Sequence, residues 1–391
     1  MTWKVESMKT QKQKFILLYE TGKFSLSALC RDFGISRPTG YAILKRYEEE
    51  GWDALEERSR RHKRHPNQTP KEIEEAIVSK RKKHPRWGAR KIMILLNRDS
   101  GFSKKEIPSE TTVNNIMKKH GLVISRKKNR RRIENQYLIF DPAEPNEIWS
   151  SDFKGRFKMG NGVYCHPLTI ADSKSRYLFA IKALERYDTE SCKTVFERVF
   201  REYGLPLQMH TDNGAPFANS SSLRRMTRLS VWFMELGIIP VYSDPGHPEQ
   251  NGRHERMHRE LKADSTRPPG TTIRSQQHKF DRFLEEYNNV RPHEALEMKT
   301  PSKVHIRSPR DYQGIISDWA YDRDLKVKMV TNNGAMRWGE HFVMISTALT
   351  GKYIGIEAIE DGLWRIYYRY VELGIFCERT MRVYDVNEFN L

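Results

Sequence analysis

Three acidic residues stand in settings that can do chemistry. Asp152 lies in Asn146-Glu147-Ile148-Trp149-Ser150-Ser151-Asp152-Phe153, Asp212 in Met209-His210-Thr211-Asp212-Asn213-Gly214, and Glu255 in Gly252-Arg253-His254-Glu255-Arg256. A lone Asp or Glu is ordinarily a solvated charge. One acid on a strand, one at a strand end before a glycine and one on a later helix can instead converge on divalent cations. Carboxylate oxygens suit the hard ions Mg²⁺ and Mn²⁺. Two such ions can clamp the attacking and leaving oxygens of a phosphodiester during in-line displacement. Glu249 competes for the third position; it precedes Gly252, in a segment that reads as loop, and ranks below Glu255.

The elements that must position these acids are legible nearby. Trp149, Ser151, Phe153 and Phe157 alternate as a strand does. Met159-Gly160-Asn161-Gly162 is a turn signal, followed by strands over 163–171 and 176–183. A helix is expected over 189–203, a buried strand over 207–211 delivering Asp212, a helix over 223–236 and a strand over 237–241. On the next helix Glu255, His258, Arg259 and Lys262 follow i, i+3, i+4 and i+7, so they share one face. That face suits a metal ligand with phosphate alongside; intrahelical ion pairing is the plainer alternative. A helix over 280–289 leads to Arg291-Pro292-His293-Glu294-Ala295-Leu296 and Thr300-Pro301. Beyond residue 325 the pattern changes to short strands between glycine-bearing turns, which suggests a small β-barrel of SH3 type.

The N-terminal third reads as helical. Phe15, Leu18 and Tyr19 give one helix its period, Ser25 caps a second, and Gly34-Ile35-Ser36 is a tight turn whose Ser36 caps a third. This is a helix-turn-helix pattern, with Arg37, Thr39, Gly40 and Tyr41 where major-groove contacts are usually made. Residues 56–70 form a basic linker, in which Arg60, Arg61, Lys63 and Arg64 can track a groove. A second helical unit follows. Thr69-Pro70 opens its first helix and Trp87-Gly88-Ala89-Arg90 its second, where Trp87 reads as a buried anchor and Arg90 as a DNA contact; Ser109 caps the third. Arg126, Lys127, Lys128, Arg130, Arg131 and Arg132 then form a dense phosphate-tracking cluster.

Charge is distributed accordingly. The 391 residues carry a net +18; residues 1–135 hold 33 Lys/Arg against 16 Asp/Glu, the remainder 35 against 34. So lopsided a charge calls for a polyanionic partner, most simply nucleic acid. Neither a long apolar span nor a secretory leader is legible. The four cysteines, Cys30, Cys165, Cys192 and Cys377, have no Cys-x-x-Cys spacing and read as reduced thiols of a cytoplasmic protein. His62 and His65 lack a nearby cysteine pair, so no structural zinc is expected.

Trp-x-x-Asp, Thr-Asp-Asn-Gly and Pro-x-x-x-Gly-x-x-Glu, in that order, resemble the retroviral-integrase superfamily, and more closely the bacterial insertion-sequence transposases with an Asp-Asp-Glu core. One departure is visible: 42 residues separate Asp212 from Glu255, several more than the family usually shows, and the polar run 219–225 is the natural excess. The resemblance implies a multidomain protein: a helix-turn-helix domain over 8–55, the linker over 56–70, a second such domain over 71–135, a ribonuclease-H-like α/β core over 140–305 and the barrel over 325–391. It further implies two Mg²⁺ (or Mn²⁺) held by Asp152, Asp212 and Glu255. Double-stranded DNA, both element ends and target, becomes the partner. It also implies contacts from His258, Arg259 and Lys262, a homo-oligomer that pairs two ends, and a bacterial, nucleoid-associated setting. The reaction implied is cleavage at the terminal inverted repeats by water, then strand transfer by the freed 3′-OH. Two rivals remain: a ribonuclease-H-type nuclease, which needs no basic helical head, and a DNA-binding regulator with an inactive core, which need not keep three acids.

Overall fold

The computed structural model describes residues 7–56, 68–123, 141–243 and 252–385. The chain divides into two compact units, 1–74 and 75–391. In the first, α1 (Met8–Glu20), α2 (Leu26–Asp32) and α3 (Arg37–Glu50) enclose Phe15, Ile16, Leu29, Cys30 and Leu44. Ser7, Ser25 and Ser36 each accept a backbone N–H from the third residue on, so every helix starts on a serine cap. Gly34 takes φ +63° between α2 and α3, as the turn requires. Arg37, Thr39 and Tyr41 are exposed at the start of α3. Gly40, grouped with them in the sequence, is instead buried: a Cβ there would meet Cys30 Sγ at 2.5 Å, so this glycine lets α3 close on α2.

α4 (Lys71–Lys83) crosses the division between the units. α5 (Ala89–Asp99) and α6 (Glu110–Lys119) follow, with Ile92, Leu95, Leu96, Val113, Ile116 and Met117 buried. Trp87 is buried, as its anchor role required, and stacks on His84 at 4.1 Å.

The central domain is built on a mixed sheet. β1 (Ile148–Phe153), β3 (Tyr164–Asp172) and β4 (Leu178–Leu184) form an antiparallel meander, with short β2 (Phe157–Lys158) pairing the start of β3. β5 (Gln208–Thr211) runs parallel to β1, and β6 (Ile239–Tyr242) parallel to β5. α7 (Thr189–Tyr203) and α8 (Arg228–Glu235) pack Phe196, Phe200, Trp232 and Phe233 against Trp149, Leu168 and Phe179. α9 (Gly252–Ser265) and α10 (Ile273–Glu285) set Met257, Leu261, Phe280 and Phe283 against Leu178, Ile181 and Ala183. β1 therefore lies between two layers. Ile148 to Ser151 are all buried, in place of the alternation expected, because a strand covered on both faces has no solvent side.

Two helices differ from expectation. The segment expected as one helix over 223–236 is a 3₁₀ turn at Leu223–Arg225 followed by α8: Arg224 and Arg225 take φ +51° and +53°, and Thr227 starts α8 with a capping box. α10 begins seven residues ahead of the expected Phe280, on a second capping box at Thr272, and continues as a π-turn over Glu286–Val290.

The C-terminal strands are β7 (Lys326–Met329), β8 (Ala335–Trp338), β9 (His341–Met344), β10 (Tyr353–Glu360), β11 (Leu363–Tyr368), β12 (Val371–Cys377) and β13 (Arg382–Asp385). They pair as a five-stranded sheet, β13-β12-β11-β10-β7, beside the β8-β9 ribbon. Among the described residues the two sheets do not join into a closed ladder, as the expected barrel would require. Its core reaches into the central domain: Met226, Val231 and Met234 pack with Val330, Met336, Ile354, Ile366 and Phe376. Buried Glu235 pairs with Lys352 Nζ at 2.5 Å and accepts from the Tyr368 hydroxyl at 2.9 Å. Ser222 meets Ser346 at 2.8 Å, and the Arg224 N–H donates to Asp385 at 3.0 Å. The polar run 219–225, which lies between the second and third acids, thus docks the C-terminal strands.

Candidate active site

Asp152 and Asp212 come together through strand register. β1 and β5 are parallel, with Ser151 opposite Thr211, so the acid is the next residue in each, Asp152 still within β1 and Asp212 just past the end of β5. Both side chains are half-buried. Burial pushes the Asp212 carboxyl up, and the Gly214 N–H, 3.2 Å from Oδ1, pulls it partly back. A cation beside it offsets that desolvation cost. Two oxygen-donor side chains side by side at strand ends fit a hard divalent ion.

Glu255 sits in the first turn of α9, one residue after buried His254. A step of about 100° per residue carries it off the buried histidine face, and its side chain is exposed. Among the described residues, no three His, Cys, Asp or Glu side chains converge as a metal cage, so the three acids do not meet in this structure. Glu249, Arg60, Arg61, Lys63, Arg64, Arg126, Lys127, Lys128, Arg130, Arg131 and Arg132 lie outside the described residues.

His258, expected to face DNA with Glu255, is buried beneath β1. Its Nε2 is 2.8 Å from Thr169 Oγ1, and His254 Nε2 is 3.0 Å from the same oxygen. The Thr169 hydroxyl donates to the Asp152 carbonyl at 2.9 Å. With its one proton so used, this oxygen accepts from both imidazoles, which assigns each the Nε2–H tautomer. Burial holds both rings neutral, His254 down to about 3 and His258 to about 2. The 3.6 Å approach of His258 Nδ1 to Asp152 Oδ2 is therefore a contact, not an ion pair. The pair was visible in the sequence as histidines at i and i+4; Thr169 gave no signal, because its role depends on strand pairing.

Lys154 is depressed by burial, then by Lys262, while Asp152 acts in the opposite sense. Arg259 and Lys262 line the outer side of α9, and Arg90 is exposed while bonding Glu110 at 2.8 Å. Arg253 is drawn aside, to Asp141 at 2.7 Å and the Ser173 carbonyl at 3.3 Å. Arg225 donates to Asn213, next to Asp212, at 2.7 Å.

Two family models, each described as an integrase core domain, match residues 142–248 and 236–301, a span holding all three acids. A helix-turn-helix model matches residues 11–63 and a homeodomain-like model residues 39–117. An insertion element IS407 protein of 31.7 kDa from Burkholderia multivorans is 24% identical over 222 residues, 56% of this chain and 75% of that protein. These matches support an insertion-sequence transposase of the integrase-like superfamily. This transposase also matches the Pro-Pol polyprotein of Simian foamy virus type 1, 26% identical over 111 residues, 28% of the chain and 9% of the polyprotein. It thus spans only about a tenth of that viral relative. Among solved structures, the transposase is similar to the HTLV-2 integrase catalytic core domain in complex with magnesium (16% identity, TM-score 0.34, 42% of this chain and all of that one). It is also similar to a simian T-cell lymphotropic virus intasome chain (15%, TM-score 0.37, 77% and 99%). No helix among the transposase's described residues is long and apolar enough to cross a membrane.

Proposed function

We propose that this transposase binds the terminal inverted repeats of its element, cuts there and joins the freed end to target DNA. The observation that carries the reading is the register of β1 and β5, which makes Asp152 and Asp212 neighbours at the strand ends. Together with Glu255 they would hold two Mg²⁺, or Mn²⁺ in their place. When bound, the ions supply Lewis-acid stabilisation of the attacking and leaving oxygens.

Asp152 and Asp212 would orient the site from two strands, and Glu255, which does not meet them in this structure, would have to move in from α9 to complete it. Water attacks the phosphodiester at the element end, breaks its P–O3′ bond and leaves a 3′-OH. That 3′-OH attacks a target phosphodiester, forms a new P–O3′ bond and releases the target's own 3′-oxygen. Bonds balance in each step, so no covalent enzyme intermediate is required. Arg37, Thr39 and Tyr41 would read the major groove. The basic segments, with Arg90, Arg259 and Lys262, would neutralise phosphate. His258 is assigned to positioning α9, not to DNA. The domain boundaries follow the same reading, with the C-terminal strands attached to the core, and pairing of two ends calls for a homo-oligomer.

The test is cleavage and strand transfer on a labelled oligonucleotide carrying the element's terminal repeat, with Mg²⁺. Wild type is compared with Glu255→Gln and Glu249→Gln. Loss of both steps in Glu255→Gln alone, with binding intact, supports the assignment. Binding without cutting by wild type would favour the regulator, and loss only in Glu249→Gln would move the third acid.

A further inference from the structure

Side chains clamp the turn that follows Asp212. The Asn213 amide donates to the Ser243 carbonyl at 2.7 Å, one residue past the end of β6. Arg225 reaches both of these partners: its guanidinium donates to Asn213 Oδ1 at 2.7 Å and to the Ser243 carbonyl at 3.3 Å. A guanidinium can only donate, which assigns the amide's orientation, Oδ1 to Arg225 and Nδ2 to Ser243. The Gly214 N–H then donates to Asp212 Oδ1 at 3.2 Å. Holding Asn213 therefore holds the backbone that aims the Asp212 carboxylate.

Arg225 is itself held by the C-terminal strands. Arg224 and Arg225 both take left-handed backbone, at φ +51° and +53°. Residues with a Cβ avoid that region and keep it only where the surroundings impose it. Here Asp385 of β13 accepts the Arg224 N–H at 3.0 Å, and Ser346 lies 2.8 Å from Ser222. The Asn219 N–H donates to the Arg225 carbonyl at 2.9 Å and closes the run on itself. A continuous line of contacts thus leads from the C-terminal strands, through the 3₁₀ turn, to the residue beside Asp212.

We propose that Arg225 is a positioning residue for Asp212, and that the docked C-terminal strands keep it in that place. Asp212 then presents its carboxylate to a divalent ion only as well as those strands are seated. The inference rests on the reading of Asp212 as a metal ligand. Arg225 has no lone pair to offer an ion, and its charge repels one. Its two effects therefore differ in sign: removing the charge alone tightens a bound cation, whereas removing the clamp loosens it.

The test counts Mn²⁺ bound to the full chain, without DNA, from the electron paramagnetic resonance signal of the free ion. The binding that Asp212→Asn removes defines the site. Arg225→Gln should weaken that binding roughly tenfold, as removal of a group that orients a metal ligand does. Ser346→Ala changes no charge and should weaken it by less. The double variant should bind no more weakly than Arg225→Gln alone, because both changes act through one side chain. Tighter or unchanged binding in Arg225→Gln overturns the positioning role. Weakening in Arg225→Gln with none in Ser346→Ala overturns the link to the C-terminal strands. If Arg225→Gln fails to fold in a thermal melt, Ser346→Ala decides alone: weaker binding supports the proposal and unchanged binding overturns it. Mn²⁺ binding that Asp212→Asn leaves unchanged removes the metal reading itself.

Discussion

Thr169 Oγ1 lies 2.8 Å from His258 Nε2, and so ties the helix that carries Glu255 to the strand that carries Asp152. Thr169→Val keeps the shape and removes the shared acceptor of two buried imidazole N–H groups. Each N–H left unmade costs about 1–3 kcal/mol. The variant should lose stability by that order, seen as a lower Tm. Its cleavage kcat should fall at unchanged DNA affinity, and Thr169→Ser should restore both. A Thr169→Val protein that cuts at the wild-type rate would remove the positioning role.

Asp152→Asn and Asp212→Asn keep size and polarity but lose the charge a divalent ion needs. Cutting should drop at least about a thousandfold, since several kcal/mol of charge stabilisation are lost. Repeat binding in a mobility-shift assay should persist. Chelation of wild type with EDTA should reproduce the defect, and added Mg²⁺ should reverse it. Chelation-resistant cutting would exclude the metal assignment.

Those two carboxylates were legible because their settings are short and local: Trp149 before Asp152, Asn213-Gly214 after Asp212. The serine caps at Ser25, Ser36 and Ser109 were legible for the same reason, since a cap and the N–H it accepts are three residues apart. His258 was misread because helical spacing shows which residues share a face, not which face meets the sheet. Whether the C-terminal strands close into a barrel was not legible, because strand content does not say whether the first and last strands pair. The break at Arg224 and Arg225 follows from docking to Asp385, 161 residues away from Arg224, which no local pattern records.

His293 should make stability pH-dependent. Burial, then Arg291 and Lys91, depress it from an ordinary 6.5 to about 3; Arg176 adds to this, and a backbone hydrogen bond involving Tyr287 opposes it. The folded state therefore holds it neutral while the unfolded chain binds a proton below about 6.5. Its contribution is whole above that value and is lost as pH falls toward about 3, at up to about 1.4 kcal/mol per pH unit. Urea melts between pH 7 and 4 should show His293→Gln with a shallower decline than wild type. Parallel declines would mean that His293 is not a source of the acid sensitivity.

Gly40→Ala tests packing in the first unit. The added methyl meets Cys30 Sγ at 2.5 Å and Phe15 at 3.3 Å. Overpacking costs about 1–3 kcal/mol against about 1 kcal/mol gained in helix propensity. Thermal melts should show the unit destabilised, with repeat binding weakened accordingly. An unshifted melt would show that Cys30 can move aside.

The shared core of α8 and the C-terminal strands bears on how this protein can be divided. A cut placed ahead of Lys326, where composition marks a border, would bare Met226, Val231 and Met234 and strand the Glu235 carboxylate without Lys352 and Tyr368. Such a fragment would be sticky, prone to clump and poor at holding α8 in place. A shortened chain made for biochemistry has to keep the tail, or carry polar replacements at those three methionine and valine positions.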